Sequence, residues 1–240
     1  MTKQRLDVTM AERGLVASRS QAESYVRLKQ VKVNDRVAEK AGQLVSDTDD
    51  ITLAVTEQYV SRAALKLQSA ASAFGLEFAG KIVLDVGSST GGFTQYALRH
   101  GARKVIAVDV GTEQLHPSLR GDERIELHEK TDIRDFSVHE GVDMVVGDVS
   151  FISLREILPH VATLVSTTTD IVAMVKPQFE AGQSSLKHKG VIKNDTVRRA
   201  ILKDFEAWAQ RRFKIIKKAD SEVPGSKGNL ERFYLLRKLD

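Results

Sequence analysis

The sequence predicts a doubly wound α/β domain that follows a small α+β domain. Continuous apolar runs at 82–86, 105–108, 142–146 and 171–175 are typical of strands that are buried on both faces. The segments between these runs are long enough for crossover connections, which favours a parallel sheet. Residues 5–55 differ, because they contain short helical and alternating patterns instead.

The composition is that of an ordinary globular chain. Of the 240 residues, 42% are hydrophobic and 28% are charged, which excludes the fibrous and disordered classes. No apolar run approaches the roughly 18 residues of a membrane-spanning helix, and the first residues lead into no apolar signal segment. The absence of cysteine excludes disulfides, thiolate metal sites and cysteine nucleophiles. We therefore expect a cytoplasmic protein rather than a secreted one.

The net charge of +4 is unevenly distributed along the chain. It amounts to 0 for residues 1–60, −4 for residues 61–180 and +8 for residues 181–240. Residues 1–40 alone hold nine basic and five acidic groups. Two basic ends thus flank an acidic middle, which fits a polyanion bound at the ends. Basic termini are also common on globular proteins in general, and that alternative stays open.

The first predicted domain, residues 1–56, begins with two short helices. Apolar residues within 6–15 lie at helical spacing, and Ser18 is a candidate N-cap for the second helix. Alternation at 31–37 predicts a hairpin, and a further strand is expected at 50–55. About 50 residues is a marginal size for independent folding, so we expect this domain to pack against another.

Lysines and arginines cluster around the second helix and the strand that follows it, and such a face supplies the phosphate contacts on which nucleic-acid affinity depends. Several stretches of the domain closely resemble the ribosomal protein S-four-type RNA-binding module, namely Arg5-Leu6-Asp7, Gly14-Leu15, Ser18-Arg19-Ser20-Gln21-Ala22, Val31-Lys32-Val33-Asn34 and Asp50-Ile51. The resemblance implies that the domain binds RNA. The residues predicted to contact RNA are Arg5, Arg19, Ser20, Arg27, Lys29, Lys32 and Asn34. A merely solvated basic face is the alternative.

The second predicted domain, residues 62–240, follows a linker at 57–61. Ser61 is a candidate N-cap for its first helix. A weaker strand at 124–128 adds to the four apolar strands. The other predicted elements are helices at 62–74, 154–165 and 195–210 and strands at 213–216 and 232–236. The last two strands suggest a hairpin at one edge of the sheet.

The residues after the first strand predict a ligand site, because doubly wound sheets bind ligands at the carboxyl ends of their strands. Gly87, Gly91 and Gly92 would let the backbone turn and approach a ligand closely. Their spacing is not that of a dinucleotide pyrophosphate site, and Asp85 would repel an anion. A cationic ligand is therefore favoured.

Acidic residues follow the next strands as well. Asp109 lies where an adenosine ribose would present its hydroxyls, and Asp132 with Ile133 could bracket an adenine. An acidic pocket suits the sulfonium and ammonium charges of S-adenosylmethionine, which the sequence favours over a nicotinamide cofactor. Each aspartate alone is also a common turn former. The predicted cofactor-binding residues are Asp85, Gly87, Ser88, Gly91, Gly92, Phe93, Asp109, Val110, Asp132, Ile133 and Asp148.

Lys176 is the leading candidate for a general base. It breaks a buried apolar run at the end of a strand, and a partly desolvated lysine beside a second lysine gives up its proton more readily. We predict Lys66 as that second lysine, and Asp148 and Glu231 as the groups that orient Lys176. A solvated lysine, a simple salt bridge and a strand-end charge are the plainer alternatives for these residues.

The order Lys66, Asp148, Lys176, Glu231 is similar to the Lys-Asp-Lys-Glu tetrad of FtsJ-like ribose 2′-O-methyltransferases. With the first domain included, about nine tenths of the chain resembles the TlyA, or haemolysin A, family. The matching motifs lie at 59–67, 85–93, 148–153, 176–180 and 227–231. The resemblance implies a Rossmann-like methyltransferase sheet and S-adenosylmethionine-dependent methylation of ribosomal RNA, commonly at cytidine. The implied partner is ribosomal RNA or a ribosomal subunit.

Three other functions stay open: an RNA-binding protein with an inactive methyltransferase fold, a methyltransferase for small molecules or proteins, and a membrane-active haemolysin. Only the older family name suggests the last. The histidines share no ligand spacing, so no metal site is predicted; they are His100, His116, His128, His139, His160 and His188. A basic run is expected either to meet RNA or to form a solvated loop, and it comprises Lys187, His188, Lys189 and Lys193.

Overall fold

A computed structural model describes residues 3–16, 18–54, 59–181, 191–192, 194–225 and 228–240. Its first unit, residues 3–54, is a small α+β arrangement. The elements are β1 (Lys3–Arg5), α1 (Leu6–Glu12), α2 (Arg19–Arg27), β2 (Val31–Val33), β3 (Arg36–Val37), β4 (Leu44–Ser46) and β5 (Ile51–Leu53). β1 pairs antiparallel with β4, and β2 lies between β3 and β5 in a second small sheet.

The second unit alternates helices and strands. Its elements are α3 (Arg62–Phe74), β6 (Ile82–Val86), α4 (Gly92–Arg99), β7 (Lys104–Val108), β8 (Ile125–His128), β9 (Met144–Gly147), α5 (Leu154–Leu164), β10 (Asp170–Val175), α6 (Pro177–Glu180), α7 (Asp195–Ala209), β11 (Phe213–Asp220) and β12 (Arg232–Lys238). They form one seven-stranded sheet in the order β11-β12-β10-β9-β6-β7-β8.

The strand order makes the sheet doubly wound. From β6 the chain moves outward to β7 and β8, then returns to β9 on the other side of β6 and continues to β10. These five strands are parallel, and β12 runs antiparallel to them beside β10. β11 pairs antiparallel with β12 and therefore runs in the direction of the five. The order reverses between β6 and β9, and this reversal leaves a crevice outside the carboxyl ends of those two strands.

The predicted fold class is confirmed, with differences at the ends of elements. β11 runs on to Asp220 instead of stopping at Ile216, because its pairing with β12 continues across a bulge between Ile215 and Lys217. The strand expected at 50–55 is β5, which is shorter. No sequence pattern predicts β1 and β4, since three-residue, largely exposed strands are too short to show a detectable alternation.

β11 is the edge strand at one side of the sheet. Its lysines at 214, 217 and 218 are exposed, and they follow the exposed Arg211 and Arg212. The cationic residues counted in the C-terminal quarter of the sequence therefore lie partly on this edge.

The two units are in contact. Leu65 of α3 and Val223 belong to the same apolar cluster as Leu6, Met10 and Tyr25 of the first unit. Gln21 in α2 donates from Nε2 to the carbonyl oxygen of Tyr59 at 3.2 Å. The domain limits at 1–56 and 62–240 stay predictions, and of the linker at 57–61 the structure describes residues 59–61.

Asp7 is a charged group in the core of the first unit. Its side chain is 0% exposed and lies 2.9 Å from Arg5 Nε and 3.2 Å from an Arg19 terminal nitrogen. Burial alone would raise the pKa of Asp7, but the hydrogen bonds and charges of the two arginines outweigh it, and the pKa lies below its usual range. Asp7 thus ties β1 to the beginning of α2.

We expect Asp7→Ala to lower the free energy of unfolding of the first unit by about 1–3 kcal/mol. Because the folded state depresses the pKa, this contribution is fully present above about pH 4 and is lost as the pH falls further. Hydrogen exchange of the α1 and α2 amides in wild type and variant, at pH 7 and near pH 3, measures it. Glu12→Ala, an exposed acid of the same helix, is the control; equal effects of the two variants would contradict the prediction.

Candidate active site

The crevice between the carboxyl ends of β6 and β9 holds two adjoining cavities. The first, about 500 Å³, is lined by all four predicted tetrad residues and is called the tetrad cavity here. The second, about 450 Å³, is lined by Asp109 and Asp132 and is called the aspartate cavity. They share the lining residues Gly87, Ser89, Asp148, Ser150 and Phe151. They are therefore two compartments of one crevice.

The tetrad forms two ion pairs. Lys66 Nζ lies 2.6 Å from Glu231 Oε2, and Lys176 Nζ lies 2.6 Å from Asp148 Oδ1. Lys176 also donates to Ser150 Oγ at 2.6 Å. The lysine side chains are each only 9% exposed, which makes an opposite charge necessary.

This pairing corrects one expectation. The sequence predicts that Glu231 orients Lys176 together with Asp148, but in the structure Glu231 forms its ion pair with Lys66. The physical reason is the sheet order: β12 lies next to β10, and its first residues meet the buried face of α3. Each lysine thus has its own carboxylate.

The backbone around Glu231 is fixed from two sides. Arg198 in α7, 5% exposed, donates from Nε to the Leu230 carbonyl oxygen at 3.0 Å. Ser221 N donates to the Glu231 carbonyl oxygen at 2.9 Å. A Cβ at Gly225 would lie 2.8 Å from Glu231 Oε1, so a side chain there would push against the carboxylate that pairs with Lys66.

The Gly87 region joins β6 to the loop after β9. Gly87 has φ +80°, and a Cβ there would lie 3.1 Å from the carbonyl oxygen of Asp148. Asp148 N donates to the Val86 carbonyl oxygen at 3.1 Å. Gly87 therefore meets both the conformational and the spatial requirement for glycine, and it lines both cavities.

Asp109 and Asp132 stand at the rim of the aspartate cavity, with Val110 and Ile133 beside them. Asp109 accepts from Ser89 N at 2.8 Å and from Gly111 N at 2.7 Å. Hydrogen bonds from the Arg134 side chain and backbone hold the pKa of Asp132 below its usual range. Asp109 is thus held by its own loop and by the loop after β6, whereas Asp132 is held by its own loop and is ionised at neutral pH.

Three of the predicted cofactor-binding residues, Asp85, Gly91 and Gly92, are not among the residues that line the two cavities. Asp85 is 0% exposed and accepts from Thr94 Oγ1 at 2.6 Å. A Cβ at Gly91 would lie 2.6 Å from side-chain atoms of Leu115 and Leu119, and one at Gly92 would lie 2.3 Å from Ser61 Oγ. The nearest neighbours of these two glycines are therefore other segments of the chain, and their contact with the cofactor stays a prediction.

One carboxylate oxygen of Asp85 nevertheless has no hydrogen-bond partner in the described part of the chain. Burial raises its pKa to about 7, with Thr94 opposing the rise and the charges of Asp148 and Asp109 adding to it. Its Oδ1 and the nearby Ser88 Oγ are buried without a hydrogen-bond partner. Ser88 and Phe93 line the tetrad cavity. Two orphaned polar atoms beside an open cavity are typical of a site completed by a ligand.

The predicted RNA-binding residues fall into two groups. Arg5 and Arg19 form ion pairs with Asp7. At the hairpin turn, Asn34 Nδ2 donates to Asp49 Oδ1, and Asn34 Oδ1 accepts from Asp50 N. The exposed remainder, on and after α2, comprises Ser20, Arg27, Lys29 and Lys32. The basic run comprises Lys187, His188, Lys189 and Lys193, all of which lie outside the described residues.

Two aromatic residues at the crevice were not singled out from the sequence. Phe151 is 91% exposed, has φ +67° and lines both cavities, and its ring centroid lies 5.3 Å from that of Phe179. A left-handed backbone at an exposed aromatic is unfavourable and is found mainly where function requires it. The sequence pattern that could have identified Phe151 is its position in a loop three residues after Asp148, the acid at the end of a strand.

Two findings concern the described residues as a whole. No group of three or more histidine, aspartate or glutamate side chains there is arranged to hold a metal ion. That the protein binds no metal stays a prediction. In the same part of the chain, no helix is both long and apolar enough to cross a membrane.

Comparison with known proteins places both units in known families. The FtsJ-like methyltransferase family matches residues 59–238, and the S4 domain family matches residues 4–51. The 16S/23S rRNA (cytidine-2′-O)-methyltransferase TlyA of Mycobacterium tuberculosis is 38% identical, over 97% of this chain and 89% of the relative. Hemolysin A of Brachyspira hyodysenteriae is 37% identical, over 95% and 97%.

A solved structure agrees with these relatives. A candidate hemolysin of Streptococcus thermophilus superposes with a TM-score of 0.73 at 36% identity, covering 100% of this chain and 90% of that one. The matches extend over both units and over every tetrad residue. The chain therefore belongs to the FtsJ-like methyltransferase family, with an S4 domain in front of the methyltransferase domain, and is similar to TlyA and hemolysin A over most of its length.

Proposed function

We propose that this protein is an S-adenosylmethionine-dependent 2′-O-methyltransferase of ribosomal RNA that acts on a cytidine ribose. The observation that carries the proposal is the tetrad cavity, where two buried lysine–carboxylate pairs face an open space next to a second, acidic compartment. Relatives named as rRNA cytidine-2′-O-methyltransferases support the substrate class.

The residues of the crevice fit the cofactor. Asp85 Oδ1 and Ser88 Oγ lack partners and suit the ammonium group of its methionine part. Gly87 lines both cavities, and its lack of a side chain lets the loop after β6 lie against the Asp148 backbone at the floor of the crevice. Asp109 and Asp132 would receive the ribose hydroxyls and the adenine edge. When bound, S-adenosylmethionine supplies an electrophilic methyl group.

The chemistry left to the protein is positioning and removal of one proton. Lys176, an ammonium in its ion pair with Asp148, first releases one proton to solvent in the open cavity. The resulting neutral amine at Nζ then takes the proton of the ribose 2′-hydroxyl. Asp148 Oδ1 and Ser150 Oγ, each 2.6 Å from Nζ, fix the direction of the side chain. Lys66, fixed by Glu231, adds a positive charge on the other side of the cavity, where a developing oxyanion is stabilised.

RNA is bound by the first unit and reaches the crevice from there. Arg27, Lys29 and Lys32 are exposed and uncommitted to Asp7, so they are the strongest phosphate contacts of the predicted set. Phe151 offers an exposed ring at the junction of the two cavities, on which a nucleobase can stack. The two units thus divide affinity and chemistry.

Lys176→Ala and Lys176→Arg should both abolish methyl transfer to ribosomal RNA while leaving cofactor binding close to wild type. The arginine variant fails because a guanidinium does not lose its proton in proteins. Single-turnover transfer of a labelled methyl group measures this, with Lys203→Ala, an exposed lysine of α7, as control. If Lys176→Arg keeps most of the wild-type rate, Lys176 positions the substrate electrostatically and is not the base.

Asp109→Ala should weaken S-adenosylmethionine binding by about 1–3 kcal/mol, because charge-assisted hydrogen bonds to the ribose disappear. Asp109→Asn should weaken it less, since the amide oxygen still accepts one of the two backbone hydrogen bonds. Calorimetry with the full-length chain gives both values, and Asp135→Ala, an exposed acid of the segment after Asp132, is the control. Wild-type affinity in Asp109→Ala would place the ribose elsewhere.

The triple variant Arg27→Ala, Lys29→Ala, Lys32→Ala should bind ribosomal RNA more weakly at low salt. The slope of log affinity against log salt should fall by about one for each phosphate that the variant no longer neutralises. Cofactor affinity should not change. Arg237→Ala in β12 removes a cation that pairs with Asp170 and serves as control. An unchanged slope in the triple variant would move RNA binding away from this surface.

A further inference from the structure

Two short segments carry the Lys176 half of the tetrad. One is the loop 148–153 after β9, with Asp148, Ser150 and Phe151. The other is the segment 176–180 after β10, with Lys176 and Phe179. They touch through the Lys176 ion pair with Asp148 at 2.6 Å and through the Phe151 and Phe179 rings, whose centroids are 5.3 Å apart.

Glu180 closes the far end of this arrangement. Its side chain is 1% exposed. Oε2 accepts from Ser153 Oγ at 2.6 Å, and Oε1 accepts from Leu154 N at 2.7 Å. Arg155 Nε lies 3.4 Å from Oε2. The two segments are therefore tied at both ends, by Lys176 at one and by Glu180 at the other.

The position of Glu180 is coupled to that of Lys176 through the backbone. Phe179 N and Glu180 N both donate to the Lys176 carbonyl oxygen, at 2.9 Å and 3.3 Å, so the segment is a single closed turn. A shift of Glu180 therefore moves the Lys176 backbone. A lysine side chain has several freely rotating bonds, and its amine is held in place only if its backbone is.

Capping of α5 does not by itself account for a buried carboxylate. Ser153 Oγ already accepts from Arg155 N at 3.1 Å at the N-terminus of that helix. Burial raises the pKa of Glu180, and its contacts with Ser153, Leu154 and Arg155 only partly offset this cost. A simple cap is available from exposed residues at much lower cost.

We infer that Glu180 is a positioning residue, which holds the Lys176 segment against the Asp148 loop and so places the Lys176 amine at the reacting hydroxyl. The inference rests on the proposed function, because it assigns Glu180 a role through Lys176. Glu180 lines neither the tetrad cavity nor the aspartate cavity.

The first test does not require activity. Trace acetylation of the full-length protein, followed by mass spectrometry, measures how accessible each lysine amine is. In Glu180→Ala, Lys176 should be labelled several-fold faster than in wild type, while Lys66 should be unchanged because Glu231 and α3 hold it. Equal increases at both lysines would mean a general loosening of the fold, and no increase at Lys176 would mean that Glu180 does not hold it; either result overturns the inference.

The second test uses turnover. Glu180→Ala should lower kcat by about 10–100-fold, the order expected for a displaced catalytic group, with the cofactor dissociation constant within about twofold of wild type. Glu180→Gln should recover most of the rate, since its amide oxygen still accepts from Leu154 N. Asp204→Ala, which removes the exposed partner of the same Arg155, is the matched control and should behave as wild type.

A double-mutant cycle separates positioning from stability. Once Asp148→Asn has loosened Lys176, adding Glu180→Ala should lower the single-turnover rate by less than about twofold. The same reduction in both backgrounds would overturn the inference. If Glu180→Ala folds poorly, the acetylation test is done with Ser153→Ala, which removes the hydrogen bond from Ser153 Oγ to Glu180 Oε2. Absence of methyl transfer by the wild-type protein would defeat the proposed function alone, because the labelling result does not require activity.

Discussion

A buried amine needs an opposite charge, and this requirement organises the carboxyl edge of the sheet. Lys66 and Lys176 each have one carboxylate at 2.6 Å. The partners of the first pair are 165 residues apart in sequence, so the pair fastens the first half of α3 to the beginning of β12. Removing one member would leave the other charge uncompensated, which costs more than the pair itself contributes. The cavity between the pairs keeps its shape for the same reason.

The glycines around the crevice show that one residue type serves several purposes within a few positions. Gly87 is needed because its φ is +80° and a side chain would meet the Asp148 backbone. Gly91 and Gly92 are needed because Leu115, Leu119 and Ser61 pack against them from other directions. The glycine-rich loop is thus held by its surroundings before any ligand binds, and binding costs correspondingly little reorganisation.

Much of this architecture could be predicted, because buried parallel strands leave continuous apolar runs and strand-end acids follow them directly. The predicted bounds of β6 agree with the structure at both ends. The pairing of Glu231 with Lys66 could not be predicted, since it depends on which strand lies beside β10. The burial of Asp85 also escaped prediction, because an acid after apolar residues gives the same pattern whether it faces a cavity or Thr94. Glu180 had no distinguishing pattern at all, as its partners at 153 and 154 are distant in sequence.

The lysines of β11 have a consequence for the molecule as a whole. An edge strand exposes a row of unpaired amide and carbonyl groups that another extended chain can join. Lys214 and Lys217 place positive charge along this row, whereas Lys218 is paired with Glu206. A second copy that approached edge to edge would therefore bring like charges together. The same cations that raise the charge of the C-terminal quarter thereby protect the sheet from growing beyond its own seven strands.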